Sequence, residues 1–342
     1  MSLALALSAT GSKGRILLVE DDSSQARLVS AWLAGDDYEV VVADSNEEAR
    51  ATVGRDDWDA IIMDVALPDG SGLELIDIAK SDSGGVPVIM MTAHGRVEFV
   101  IDALRRGADD YLRKPLNRHE LLGSVARVIE SARQNTPVKK RVLAIGVAPG
   151  DVESGCAGTL LRHRQQGDAV YVVIATGGEQ LGNRSTLQAE LVNAGLKMDA
   201  RVIVEALPQG SLSNRNTELV QLLGRLVESL DISVVYAPSQ HDELPDVRAL
   251  HHSAMVATRG VGEVYCYQAL TSTPAFSPNR FEDVSEVFPG KLEVLQAYKS
   301  LWGGTRLDGD GVRASARYWG RFAGGRLVEP LELIREVRES SS

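Results

Sequence analysis

Four short stretches carry residue types that fit together chemically. They are Val19-Glu20-Asp21-Asp22, Met63-Asp64-Val65-Ala66-Leu67-Pro68-Asp69-Gly70, Thr92-Ala93, and the segment from Tyr111 to Lys114-Pro115. The first three follow apolar runs of strand length and the fourth ends one, so in a parallel sheet all would lie along the edge formed by the strand carboxyl ends, where ligands gather in α/β folds. Carboxylates crowded at such an edge repel one another unless a hard cation joins them, and Mg²⁺ takes oxygen ligands while keeping several waters. A hydroxyl from Thr92 and an ammonium from Lys114 would face the same point. The set suits phosphoryl transfer: the metal and the lysine neutralise charge on the transferred group while Asp64 attacks as nucleophile.

A second candidate edge follows the apolar run Val142–Val147, where the chain reads AIGVAPGDVESGCAGTL over 144–160. A strand end opening into a helix is again the expected place for chemistry. Here, however, Ala148, Gly150 and Val152 can neither bind a metal nor move a proton. The reading of the residues themselves is that Asp151 caps the following helix from the loop and that Glu153 is solvated near its N-terminus.

Apolar runs and amphipathic stretches alternate along the chain to position these edges. From Arg15 to Arg133 the strands RILLV, YEVVVA, AIIMD, VPVIMMTA and DDYLRK are separated by helices expected from Ser23, Asn46, Gly72 and Val97, with a last helix from Arg118. After Pro137 and the run VKKR the pattern restarts with RVLAIGV, AVYVVIAT, ARVIVEA and ISVVYAP. The expectation is an α/β protein of two domains, 15–133 and 141–335, joined by a linker at 134–140, each domain a doubly wound, mainly parallel sheet. A length of 342 residues agrees with two cores.

The charge is −7 up to Lys140 and −4 beyond it, so neither part offers the basic surface that a nucleic-acid reader needs. Cys156 and Cys266 lie far apart in sequence, fit no metal or disulfide spacing, and read as small buried hydrophobes of a reducing compartment. The opening MSLALALSATGSKG fits neither a signal peptide nor a membrane span, and a cytoplasmic protein is expected.

The first part resembles the receiver domain of two-component response regulators over nearly its whole length. The resemblance implies a flavodoxin-like fold, with Glu20 and Asp21 as the acidic pair, Asp64 as phosphoacceptor, Thr92 and Lys114 as phosphate contacts, and Tyr111 as an aromatic switch. It further implies that the Ala66 carbonyl completes the Mg²⁺ shell and that the Lys114–Pro115 bond is cis. Its implied partners are a sensor histidine kinase or phosphotransfer protein, together with a second receiver in a homodimer.

The second part, from Arg141 to Ile334, resembles the PIG-L (LmbE-like) family of zinc-dependent deacetylases of N-acetylglucosamine-type sugars, implying a Rossmann-like domain. The family's A-H-P-D-D-x-E appears as Val147 to Glu153, its T-x-G-E turn as Thr176 to Glu179, and its H-P-D-H-R as Leu244-Pro245-Asp246-Val247-Arg248. Its three zinc ligands correspond to Ala148, Asp151 and Val247, its general base to Gly150, and its oxyanion-steadying histidine to Leu244. A catalytic zinc takes about three protein ligands, and one survives, so zinc is not expected. On the helix after the T-x-G-E turn, Glu190 matches the family but Leu187 stands where it has arginine, with Arg184 one turn away. The expectation is a signalling protein whose second part is an inactive module binding a protein or a sugar. The alternative is a phosphorylation-regulated deacetylase whose zinc uses relocated ligands among His241, Asp242, His251 and His252 with Asp151, of which adjacent His251 and His252 can supply at most one.

Overall fold

The computed structural model describes residues 12–54, 57–81, 85–92, 102–134, 140–302 and 308–337. The expected helix from Val97 and most of the 134–140 linker lie outside these residues, as does nearly all of the opening segment. Described residues up to Gln134 form one compact unit and those from Lys140 a second.

The first unit is built on β1 (Gly14–Val19), β2 (Tyr38–Ala43), β3 (Ala60–Asp64), β6 (Val88–Thr92) and β7 (Asp110–Arg113), paired in parallel in the order β2-β1-β3-β6-β7. This is the doubly wound order of flavodoxin-like folds. A two-residue ladder of β4 (Ala66–Leu67) with β5 (Gly70–Ser71) stands apart from it. Strands buried on both faces need apolar residues at every position, and the alternation of side chains divides them. Leu17, Val19, Ile61, Met63 and Met90 pack with α2 (Asn46–Val53) and α3 (Leu73–Ser81). Ile16, Leu18, Ile62, Ile89 and Met91 pack on the other face with α1 (Ser23–Ala34) and α4 (Arg118–Gln134).

In the second unit, β8 (Arg141–Gly146), β9 (Ala169–Thr176), β10 (Arg201–Leu207), β11 (Val234–Pro238) and β12 (Glu263–Tyr267) are parallel. The sheet is completed by β14 (Val328–Glu336), antiparallel to both β12 and β13 (Arg280–Asp283), in the order β10-β9-β8-β11-β12-β14-β13. Its helices are α5 (Asp151–Gln165), α6 (Arg184–Met198), α7 (Asn216–Ser229), α8 (Pro245–Ala257), α9 (Phe288–Leu295) and α10 (Gly309–Gly320). Both folds are the mixed α/β architectures expected. Among the described residues no helix is long and apolar enough to cross a membrane.

The helix α5 is interrupted at Cys156, whose φ of −143° is not helical. A break of this kind frees N–H groups that need an acceptor. Glu329, on β14, supplies it, accepting from Gly158 N at 2.8 Å, Thr159 N at 2.7 Å and the Thr159 hydroxyl at 2.6 Å. Lys291 answers its charge at 2.5 Å and also donates to the Ser154 carbonyl. All of these side chains are buried.

Candidate functional site

The strand ends bring Glu20, Asp64, Thr92 and Lys114 to one edge of the first sheet. Lys114 Nζ lies 2.6 Å from Asp64 Oδ2 and 2.8 Å from Glu20 Oε2, bridging two carboxylates that are themselves buried. Burial of Lys114 works against its charge, but the bonds to Asp64 and Glu20 prevail and hold the ammonium protonated more firmly than in a free lysine. Burial pushes the Glu20 carboxyl above its usual range, Lys114 pulls it back, and Asp64 adds to the rise. The peptide Lys114–Pro115 is cis, and Lys114 N donates to the Thr92 carbonyl at 2.8 Å, aligning the ends of β6 and β7.

One ligand oxygen each from Glu20, Asp21 and Asp64 lies within 4.8 Å of the others, the only convergence of three or more His, Cys, Asp or Glu groups among the described residues. Asp22 takes a different task. It is the N-cap of α1, accepting from Ser24 N at 2.8 Å and Gln25 N at 3.1 Å, and these backbone bonds lower its pKa. An all-oxygen, carboxylate-rich donor set fits Mg²⁺ and suits a softer metal poorly.

The loop after Asp64 is held by features that its residue types do not announce. Asp64 Oδ1 accepts from Ala66 N at 3.2 Å. Asp69 accepts from Asn46 N and Glu47 N, both at 2.9 Å, anchoring the loop to the first turn of α2. A Cβ on Gly72 would stand 2.1 Å from the Asp64 carbonyl oxygen, so glycine is required by close approach. The repeat Asp69-Gly70-Ser71-Gly72 was the available signal. Tyr111 is partly buried and packs against the core on the α2 and α3 face.

The second edge departs from the sequence reading at two residues. Glu153 is not solvated but fully buried. Its Oε1 accepts from the Tyr298 hydroxyl at 2.8 Å and its Oε2 from Gly150 N at 3.1 Å. Burial raises its pKa to about 7, against the pull of Tyr298, with Asp151 adding to the rise. Asp151 begins α5 instead of capping it. The N-cap is Gly150 at φ +94°, while Asp151 Oδ2 turns back to accept from Ala148 N at 2.9 Å.

Around this edge Ala148 and Val247 are buried, Leu244 is partly exposed, and the Thr176 hydroxyl donates to the Val147 carbonyl at 2.8 Å. Glu190 accepts from Ser300 N at 2.9 Å and from the Ser300 hydroxyl, and Arg184 stands 3.8 Å from Glu179. Asp242 accepts from Thr271 and from Leu244 N, and His251 Nδ1 lies 2.9 Å from the Pro238 carbonyl. The four residues named as relocated ligands, His241, Asp242, His251 and His252, thus form no converging set with Asp151 among the described residues. Cys156 and Cys266 are free and buried, as expected.

The model of the response regulator receiver domain matches residues 16–126, and that of GlcNAc-PI de-N-acetylase, the PIG-L family, matches 143–258. The regulatory protein LuxO of Vibrio cholerae is 34% identical over 115 residues, which are 34% of this chain and 25% of that protein. The DNA-binding response regulator MtrA of Mycolicibacterium smegmatis is 35% identical over 138 residues, 40% of this chain and 59% of that protein. The chain therefore spans between a quarter and three fifths of the length of these relatives. The crystal structure of the conserved protein TT1542 from Thermus thermophilus is similar in fold, with a TM-score of 0.51 at 24% identity, covering 59% of this chain and 97% of that one. A response regulator receiver domain and a domain of the PIG-L family are thus joined in one chain.

Proposed function

We propose that the chain is a two-component response regulator whose domain at 15–133 is phosphorylated on Asp64 and, through the linker at 134–140, controls a non-catalytic PIG-L domain at 141–335. The observation that carries this reading is the Lys114 ammonium bridging Asp64 and Glu20 beside a converging carboxylate set. Glu20, Asp21, Asp64 and the Ala66 carbonyl would hold Mg²⁺, which supplies charge neutralisation for the phosphoryl oxygens. An Asp64 carboxylate oxygen attacks phosphorus. The bond from phosphorus to the donor nitrogen breaks, and the electron pair leaves with the donor imidazole of a histidine kinase or phosphotransfer protein. Lys114 is placed to pass from the free carboxylate to the new phosphoryl group, and the Thr92 hydroxyl to donate to it. Both acts require little motion, because each side chain already stands at the edge.

In the second domain the family's ligand positions hold Ala148, Asp151 and Val247. One carboxylate, already bonded to Ala148 N, does not make a zinc site. The reading is therefore an interaction module in a cytoplasmic protein, with a receiver-mediated homodimer as its assembly.

Full chain incubated with phosphoramidate and MgCl₂ should gain one phosphoryl group by intact-mass analysis, and Asp64→Asn should gain none. Equal labelling of the variant, or none of the wild type, would overturn the first half of the proposal. Near-stoichiometric zinc in protein purified without added metal would overturn the second and favour a deacetylase with relocated ligands.

A further inference from the structure

The stretch from Gly311 to Arg326, beyond the residues matched by the PIG-L model, contains four arginines and no acidic residue in a chain of net charge −11. It also carries Tyr318, Trp319 and Phe322, of which Tyr318 and Phe322 are 50% and 54% exposed. Exposed aromatics of this size do not pack a core. These are nonetheless held in place. Gly320 has the Arg326 carbonyl where a Cβ would be, and Trp319 Nε1 donates to Gln268 Oε1 at 3.0 Å. Phe322 stacks on Phe281 of the edge strand β13, with ring centroids 5.7 Å apart.

The Arg321 guanidinium lies 4.2 Å from the Tyr318 ring and 4.7 Å from the Phe322 ring, and donates to the Tyr318 hydroxyl at 3.0 Å. The bond to Tyr318 and the two ring contacts hold the guanidinium of the exposed Arg321, which keeps further N–H donors for a carboxylate, the partner that arginine can bind in bidentate fashion. Arg317 is exposed one turn earlier on the same helix, with no ion pair among the described residues. Arg326 is paired with Asp283, and Arg313 lies over Phe288 at 4.9 Å.

We infer that this arginine–aromatic face docks an acidic polypeptide segment bearing an aromatic or large aliphatic side chain. Trp, Tyr and Arg are the residues that dominate protein–protein hot spots. Nucleic-acid binding through phosphates draws on more cations than the three arginines here, Arg313, Arg317 and Arg321, that make no ion pair among the described residues, and an anionic membrane surface is recognised by clusters of four to eight. A neutral saccharide requires acceptors for its hydroxyls, and the stretch has no carboxylate or carboxamide. A second copy docked symmetrically on the same face would bring two arginine-rich faces of like charge together. An acidic peptide satisfies both the donors and the ring faces.

The inference rests on the reading of the second domain as an interaction module, but its test does not involve Asp64 or zinc, so the two can fail separately. Binding of fluorescently labelled random poly(Glu,Tyr) to the full chain is followed by anisotropy, beside poly(Glu), poly(dT) and phosphatidylserine vesicles. Poly(Glu,Tyr) should bind best, more weakly as salt rises. Arg321→Ser and Phe322→Ser should each weaken it by about tenfold or more, and Arg317→Glu should do likewise while leaving the melting temperature unchanged. Any of the following overturns the inference: no binding, binding indifferent to the three variants, equal binding of poly(Glu), or a preference for poly(dT) or vesicles. A wild-type dimer that dissociates in Phe322→Ser would do so as well, by assigning the face to a second copy.

Discussion

Replacing Glu153 by Gln should make the second unit less sensitive to pH, by an amount that follows from the burial of one carboxyl. Glu153 has no exposed surface, and its two contacts are the Tyr298 hydroxyl and Gly150 N. A rise from the ordinary 4.5 to about 7 corresponds to about 3 kcal/mol between the neutral and ionised forms. Because the folded value lies above the unfolded one, the contribution is fully present below about pH 4.5, is lost as pH rises toward 7, and is absent above. In that window the unfolded chain releases a proton that the folded chain retains. Glu153 accepts from both Tyr298 and Gly150 N, and a Gln amide keeps both contacts without a charge by accepting from Gly150 N and donating to the Tyr298 oxygen. Urea unfolding of wild type and Glu153→Gln at several values from pH 4.5 to 8 should therefore show the variant gaining about 3 kcal/mol relative to wild type across the range. Glu120, in the other unit, is also raised to about 7 by burial with Asp110 adding to it, but it is present in both proteins and cancels in the difference. A difference constant to within about 0.5 kcal/mol would show that Glu153 ionises in the folded protein as it does in the unfolded, and the argument from burial would be wrong.

Other perturbations test the remaining contacts. Lys114→Ala leaves Glu20 and Asp64 facing each other without a cation; the melting temperature should fall in EDTA and recover most of the loss in Mg²⁺, and an equal loss in both conditions would refute the charge balance. Gly72→Ala must displace the Asp64 carbonyl, costing about 1–3 kcal/mol in stability and slowing phosphorylation by phosphoramidate; an unchanged labelling rate would mean that the loop does not position Asp64. Glu329→Gln strips the buried Lys291 of its counter-charge and should cost about 3–5 kcal/mol in urea unfolding; a loss below about 1 kcal/mol would mean that water reaches the pair.

What the sequence disclosed follows from how parallel sheets work. Strands buried on both faces must be apolar throughout, so the polar residue that ends each run is conspicuous, and the order of the runs places all the ends on one edge. The placement of Asp64, Thr92 and Lys114 at one edge was legible for that reason. The division of labour between Asp21 and Asp22 was not, because adjacent carboxylates differ only in which one reaches the backbone N–H groups of Ser24 and Gln25. Glu153 was misread for a related reason. An acidic residue in the first turn of a helix is ordinarily solvated, and what buries this one includes Tyr298, far away in sequence. The break at Cys156 is likewise satisfied by Glu329, whose distance along the chain hides the pairing.

These hidden contacts share a pattern that separates the two units. At the first edge, Lys114 is shared between two carboxylates that converge with Asp21 on one point, so charge is concentrated where a cation or phosphoryl group can exchange for it. In the second unit four acidic groups at or near the corresponding edge or the helix break are each committed to their own donors. Glu153 accepts from Tyr298 and Gly150, Asp151 from Ala148, Asp246 from Gly210 and Leu212, and Glu329 from Lys291 and Thr159. Binding a metal there would require breaking backbone hydrogen bonds that close loops and helix ends, each loss leaving a donor unsatisfied at about 1–3 kcal/mol. At the receiver edge the proposed function would require mainly that Lys114 move aside from Asp64 and Glu20, and its ammonium would find a new partner in the phosphoryl group that replaces the lost contact.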